Sequence, residues 1–476
     1  SIENFSSLEE YNQVLKESLD KLGEAQHYSI NYKYVNRRLK SASYILQAIE
    51  KKGISPSIES YNLLVELALA FLEENTVSII KDEVLEYGSL VHADLSTVMS
   101  YLRGLNKRHL TLQLLTQGME KQEKGELYSK NTYSEESLEK EIVEALQYFA
   151  SKGLKGLDQN IEVFNQILYT FITPRTNPKA IEYFNKHKSS LPINTETYKA
   201  LLLSIRELSR SASHRRDSNH SSSYNKKDSR KNSLRGSFNA TNLHTTDNTH
   251  NSNLSNISIN NSKKQQALLF KAFDLFEEAA SKKLLTEEVF HIVIELCMLL
   301  QSQEKLDELK TIIRINYPHY CTPYTYSLLI QAYSSTEDLD TALELFSEFK
   351  AEYVTSKDKV SKQESRSINK YLDLLFAKEN ANQHIDKREE IGKLSEVFSS
   401  IVHCFLKVKS SDKAEEVMRE CLSIYDRIPE NMIVSLLVYY KNSRKFPKAV
   451  ELFENVVLGN KYILSRNSSA SVSTSV

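Results

Sequence analysis

Several things are scarce in this chain of 476 residues. It has no tryptophan, 11 glycines, 8 prolines and 4 cysteines. No glycine-rich loop of the kind that cradles phosphate occurs, and this excludes the common nucleotide-binding fingerprints. No apolar run is long enough to cross a bilayer as a helix. The cysteines Cys297, Cys321, Cys404 and Cys421 show no Cys-x-x-Cys spacing, so reduced thiols are expected rather than a disulfide framework or a zinc site. The twelve histidines are scattered, without His-Glu-x-x-His or a metal-spaced carboxylate cluster, so no catalytic residue, metal or cofactor is expected and the chain reads as a non-enzyme. Net charge is -1, which leaves no global electrostatic signature of nucleic-acid binding. Arg and Lys nevertheless gather locally at Arg37-Arg38, Arg103 to Arg108 and Lys407 to Lys409.

What is abundant is leucine, glutamate, lysine and alanine in a repeating order. Residues 324 to 350 run through an aromatic-polar start, an apolar helix, the polar break Ser-Ser-Thr-Glu-Asp and a second helix, Leu-Asp-Thr-Ala-Leu-Glu-Leu-Phe. An alanine falls sixteen residues after the aromatic at Phe164 with Ala180, Tyr326 with Ala342, and Phe398 with Ala414. A small side chain there lets two helices approach closely, and the aromatic four residues on fills the groove between them. The same Ala-x-x-x-Phe recurs at Ala272 with Phe276 and Ala449 with Phe453. Gly53-Ile54-Ser55-Pro56 supplies a helix stop before the next Tyr61-Asn62. The fold class expected is all-α, a right-handed α-α superhelix of stacked helical hairpins, in which each unit buries its apolar face against its neighbours.

These residues resemble the pentatricopeptide repeat, whose units run about 35 residues, close to the tetratricopeptide period. Eight to ten degenerate units are expected. On this reading residues 1–55 hold N-terminal helices with a degenerate first repeat, and 56–208, 265–350 and 394–460 hold repeats. Residues 209–264, rich in Ser and Asn, form a disordered insertion within a repeat. Residues 351–393 form a second polar insertion, with a degenerate first helix at Ile368 to Ala377, and 461–476 form a disordered tail. Within the first insertion, Ser218 and Ser233 follow Arg pairs or Arg-Lys in the manner of basic-directed kinase sites.

The resemblance implies single-stranded RNA as partner, with one base read per repeat by the fifth residue, just after the aromatic, and the last residue. Carried over, the fifth positions are Asn62, Thr97, Asn165, Lys199, His291, Ser327 and Ser399, with Val434 at the final repeat. The last positions are Ser57, His92, Asn194, Thr286 and Thr322. The second position, apolar in the family, is here Glu59, Asp94, Glu162, Glu196, Glu288 and Glu396, with Tyr324 the single aromatic. Carboxylates repel phosphate, and at the start of a helix each favours the positive end of the helix dipole instead. The resemblance further implies fungal mitochondrial proteins acting in mRNA stability, RNA processing or translation regulation, in the matrix, beside the mitochondrial ribosome or RNA-processing proteins, with no DNA partner. The sequence, which opens on Ser1, shows no leader that fixes the compartment, and the cytoplasm is the alternative. The alternative function is a protein-interaction scaffold, or a structural component of a ribonucleoprotein assembly, whose acidic face holds a basic peptide.

Overall fold

The computed structural model describes residues 5, 7–27, 41–85, 93–120, 135–173, 176–210, 249–354, 382–425, 428–454 and 463–464. The protein is all-α. Its helices are α1 (Leu8–His27), α2 (Ala42–Lys51), α3 (Ile58–Ala70), α4 (Glu74–Leu85), α5 (Leu95–Glu120), α6 (Glu135–Ser151), α7 (Ile161–Thr170), α8 (Asn177–His187) and α9 (195–210). They continue as α10 (Thr249–Ser281), α11 (Glu287–Leu300), α12 (Gln303–Asn316), α13 (Pro323–Ser335), α14 (Leu339–Phe349), α15 (Asn382–Lys407), α16 (Ser411–Tyr425), α17 (Glu430–Asn442) and α18 (Phe446–Leu452). Among the described residues these eighteen helices make nine consecutive hairpins.

The chain divides into two compact units, Ser1–Val289 and Phe290–Val476, with α11 running across the division. In the first unit α1, α3, α5 and α7 pack one on the next, while α2, α4, α6 and α8 each pack on the first helix of their own hairpin. In the second unit α13, α15 and α17 form the same layer, backed by α14, α16 and α18. Ala180, Ala272, Ala342 and Ala414 are fully buried, and Phe184, Phe276 and Phe346 lie buried four residues on. The close approach inferred from the alanine spacing is therefore present in the packed helices.

The same turn closes five of the hairpins. Leu72, Gln301, Glu337, Lys409 and Arg444 each take the left-handed conformation, with φ between 53° and 65°. In each case the next residue donates its N–H to the carbonyl five positions back, as Glu73 to Ala68, Ser302 to Cys297, Asp338 to Tyr333, Ser410 to Phe405 and Lys445 to Tyr440. This is the helix-ending motif that glycine normally supplies, because a Cβ is strained there. Replacing Glu337 or Lys409 by glycine is expected to stabilise the second unit by about 0.5 kcal/mol, with relief of strain exceeding the added entropy of the unfolded chain. A raised denaturant midpoint checks it.

Tyrosines on first helices bond to carboxylates on second helices. Tyr61 donates to Glu83 (2.6 Å), Tyr198 to Glu278 (3.0 Å), Tyr333 to Asp307 (2.6 Å), and Tyr440 to Glu415. Burial, followed by the facing carboxylate, pushes the Tyr61, Tyr333 and Tyr440 phenols well above their ordinary range.

Three stretches differ from the sequence reading. Helix α10 starts at Thr249, inside the stretch read as disordered, and α15 starts at Asn382, inside the second polar insertion. Adding a residue to an existing helix costs far less than nucleating one, so polar residues continue a helix seeded by an apolar segment. Within the tail, Ile463–Leu464 form a two-residue strand parallel to Ile428–Pro429. The degenerate helix at Ile368 to Ala377 and the kinase-like sites at Ser218 and Ser233 lie outside the described residues.

Candidate nucleic-acid interface

The last-position residues are helix N-caps. Ser57 accepts from the Ser60 N–H (3.2 Å) at the start of α3, Asn194 from the Thr197 N–H (3.2 Å) at the start of α9, and Thr322 from the Thr325 N–H (3.3 Å) at the start of α13. Thr286 immediately precedes α11. His92 lies outside the described residues, and at α5 Asp94 does the capping, accepting from the Thr97 N–H at 3.1 Å. A short polar side chain at this position satisfies amides that the helix leaves open.

Most fifth-position residues reach the first helix of the following hairpin. Asn62 donates through Nδ2 to Ser96 Oγ at 2.6 Å. Asn165 donates to Asn194 Oδ1 at 3.0 Å and accepts from Thr197 Oγ1 at 2.7 Å. Lys199 forms an ion pair with Glu288. His291 Nε2 lies 2.9 Å from Thr325 Oγ1, Ser327 Oγ lies 2.8 Å from Ser400 Oγ, and Ser399 donates to Asn431 Oδ1 at 3.0 Å. Thr97 turns back to its own cap, Asp94 (3.2 Å).

Fifth and last positions thus converge at two joints. Asn165 meets Asn194 directly, and His291 meets Thr322 through Thr325, whose hydroxyl is 3.1 Å from that of Thr322. These groups are not held out to solvent: Asn62, Thr97, Asn165 and Ser327 are buried. The bonds of Asn62, Asn165 and Ser327 link one hairpin to the next, which the sequence reading did not assign to them. The partner residues were missed, although a hydroxyl directly before the aromatic, as in Ser60-Tyr61, Thr197-Tyr198 and Thr325-Tyr326, was a readable signal. Replacing Asn165 by alanine is expected to cost about 1–2 kcal/mol, since Thr197 and Asn194 each lose a buried partner. Chemical denaturation of the purified variant checks it.

Four of the carboxylates at the second positions have partners of their own. Glu59 pairs with Lys16 (2.7 Å). Asp94 accepts from Ser96 and Thr97; burial works to raise its carboxyl, but these bonds outweigh it and hold it low. Glu196 accepts from Tyr169 (2.7 Å), whose phenol is pushed upward by burial first and then by Glu196 and Glu288. Lys199 sits between Glu196 and Glu288; burial pulls its ammonium down, the two carboxylates outweigh that, and the net shift is upward. Glu59, Glu162 and Glu288 lie in first turns, as dipole stabilisation requires. Glu396 does not: it lies in the interior of α15, because that helix begins at Asn382. Tyr324 packs edge-on against the His291 ring at 4.7 Å.

The local basic cluster is neutralised within the fold. Arg103 and Lys107 both reach Glu66, at 3.0 and 2.6 Å, and Arg108 reaches Glu74 at 3.0 Å and Glu141 at 3.7 Å. Lys407 and Lys409 are exposed at the turn between α15 and α16, and Arg37-Arg38 lie outside the described residues. Among the described residues no group of three His, Cys, Asp or Glu could hold a metal ion, and no helix is long and apolar enough to cross a membrane.

Two family models match the sequence: a pentatricopeptide repeat domain over residues 30–68 and a PPR repeat over residues 324–354. No curated protein sequence matches significantly. Among solved structures, the pentatricopeptide repeat protein PPR10 from maize is similar at 13% identity and a TM-score of 0.19, over 93% of this chain and 64% of that one. PPR10 in complex with an 18-nt psaJ RNA element is similar at 12% identity and a TM-score of 0.17, over 97% of this chain and 81% of that one. This chain therefore spans slightly less than two thirds of the maize protein in the first of these structures. The chain thus carries a matched pentatricopeptide repeat in each of its two units.

Proposed function

We propose that this protein binds single-stranded RNA along its layer of first helices and acts in mitochondrial transcript stability, processing or translation. The observation that carries the RNA reading is the joint between α7 and α9, where the amides Asn165 and Asn194 meet at 3.0 Å. A paired amide offers both donors and acceptors within reach of one base edge. A base entering the joint exchanges one amide-to-amide bond for bonds to its own edge. The mitochondrial matrix is supported by the family resemblance alone.

A second reading has its own observation. Glu59, Glu196 and Glu288 keep more than half of their side-chain surface exposed, which suits a basic peptide. One experiment separates the two: crosslinking in cells and sequencing of bound RNA, with the intact protein and with Asn62→Ala/Asn165→Ala/Ser327→Ala. Enrichment of one organellar transcript, lost in a variant whose melting curve shows it still folded, is the expected result. No RNA above background sinks the RNA reading and favours the peptide.

A further inference from the structure

The joint between α13 and α15 is built differently from its neighbours. Elsewhere the fifth-position side chain meets the following hairpin just before that hairpin's own fifth position: Asn62 meets Ser96, Asn165 meets Thr197, His291 meets Thr325 and Ser399 meets Asn431. Ser327 instead meets Ser400, which follows the fifth-position Ser399. The contact has moved along α15 by about one helical turn.

The cause lies in α15. Because this helix begins at Asn382, its backbone is already helical where other first helices have their N-caps. The residue five places before the fifth position is Asn194 at α9 and Thr322 at α13, but Leu394 at α15, where it is apolar and 2% exposed. This joint therefore has no polar group at the last position. Gln331 stands in its place, one turn beyond Ser327 on the same face of α13. Its Nε2 donates to Ser400 Oγ at 2.9 Å and to Ser327 Oγ at 3.2 Å. Both serines are 3% exposed, so Gln331 is the member of the trio that keeps surface in solvent. Among the described residues nothing donates to its Oε1. No other hairpin with an assigned fifth position carries an amide four residues on.

We infer that Gln331 is the specificity-determining residue of this joint, reading one RNA base with its side-chain amide where other joints would use the fifth and last positions. The inference rests on the single-stranded RNA reading above. A base that reaches the joint meets Gln331 before either buried serine. Oε1 then accepts from the base, while Nε2 exchanges its longer bond, to Ser327, for an acceptor on the same edge. Adenine fits this pair in bidentate fashion, donating from N6 and accepting at N7.

The test is selection from a random-sequence single-stranded RNA library by the full chain, by Gln331→Glu and by Gln331→Ala, with a melting curve for each. The unaltered chain should enrich a motif with adenine at one position. In Gln331→Glu that position should turn to guanine, whose neighbouring N1 and N2 donors suit a side chain that only accepts. The glutamate also keeps the joint together, since the Ser327 and Ser400 hydroxyls can donate to it. Gln331→Ala should lose the preference at that position alone and bind the selected RNA about tenfold more weakly. The same motif from all three proteins overturns the inference, leaving Gln331 as a bond between hairpins and the RNA reading intact. No enrichment by the unaltered chain overturns both.

Discussion

Replacing Gly104 by valine should destabilise the first unit by about 2–3 kcal/mol, within the usual cost of overpacking. Gly104 lies within α5 where that helix crosses α3. A Cβ placed on it would stand 2.6 Å from Leu69 Cδ1, 3.0 Å from Leu69 Cβ and 3.2 Å from Glu66 Cα. Leu69 is itself buried, so its side chain has little room to yield, and the Glu66 contact is backbone. Alanine introduces the same Cβ but gains about 1 kcal/mol of helix propensity over glycine, so Gly104→Ala should lose less than valine. A denaturant midpoint lowered in that order, at unchanged slope, is the expected reading. An unchanged midpoint for valine would mean the two helices can part freely.

The second large effect concerns the same crossing. Glu66 on α3 is 5% exposed, and its carboxylate is held by Arg103 and Lys107 from α5. Removing both cations, as Arg103→Ala/Lys107→Ala, leaves a buried carboxylate without either partner and should cost about 2–3 kcal/mol. The lower part of that range is favoured because Arg103 is 44% exposed and water already reaches the pair. Either single replacement should cost well under half of this, since one cation remains. Glu66→Gln should be milder still and should release both cations, so RNA affinity, if the groove binds RNA, rises in Glu66→Gln and falls in the double alanine variant. Denaturation and filter binding on the same preparations read both quantities.

The hairpin framework was legible because alanine and phenylalanine at fixed spacing describe a contact internal to one unit. Ala180, Ala342 and Ala414 are fully buried for the reason the spacing gives. Gly104 and Glu66 were not legible, since their meaning depends on which residue of another helix lies opposite. Arg103 to Arg108 read as a basic strip for the same reason: sequence shows the cations and not the carboxylates folded against them. The starts of α10 and α15 were hidden by composition, because a polar segment joined to an apolar helix costs little to wind. At the candidate interface, the positions that converge were readable from the repeat, as at Asn165 and Asn194. That the same groups bond hairpin to hairpin was not, because it requires the distance between one repeat's fifth residue and the next repeat's first turn.

Those bonds change what counts as a module. The groups that would touch a base belong half to one hairpin and half to its successor: Asn62 with Ser96, Asn165 with Asn194 and Thr197, His291 with Thr325. A repeat moved elsewhere in the array would carry only half of such a group and would alter the joint on either side of it. An array of this construction would be re-addressed by exchanging overlapping pairs of hairpins, with the cut placed in a second helix, and a swap of single repeats would scramble two positions for each one intended.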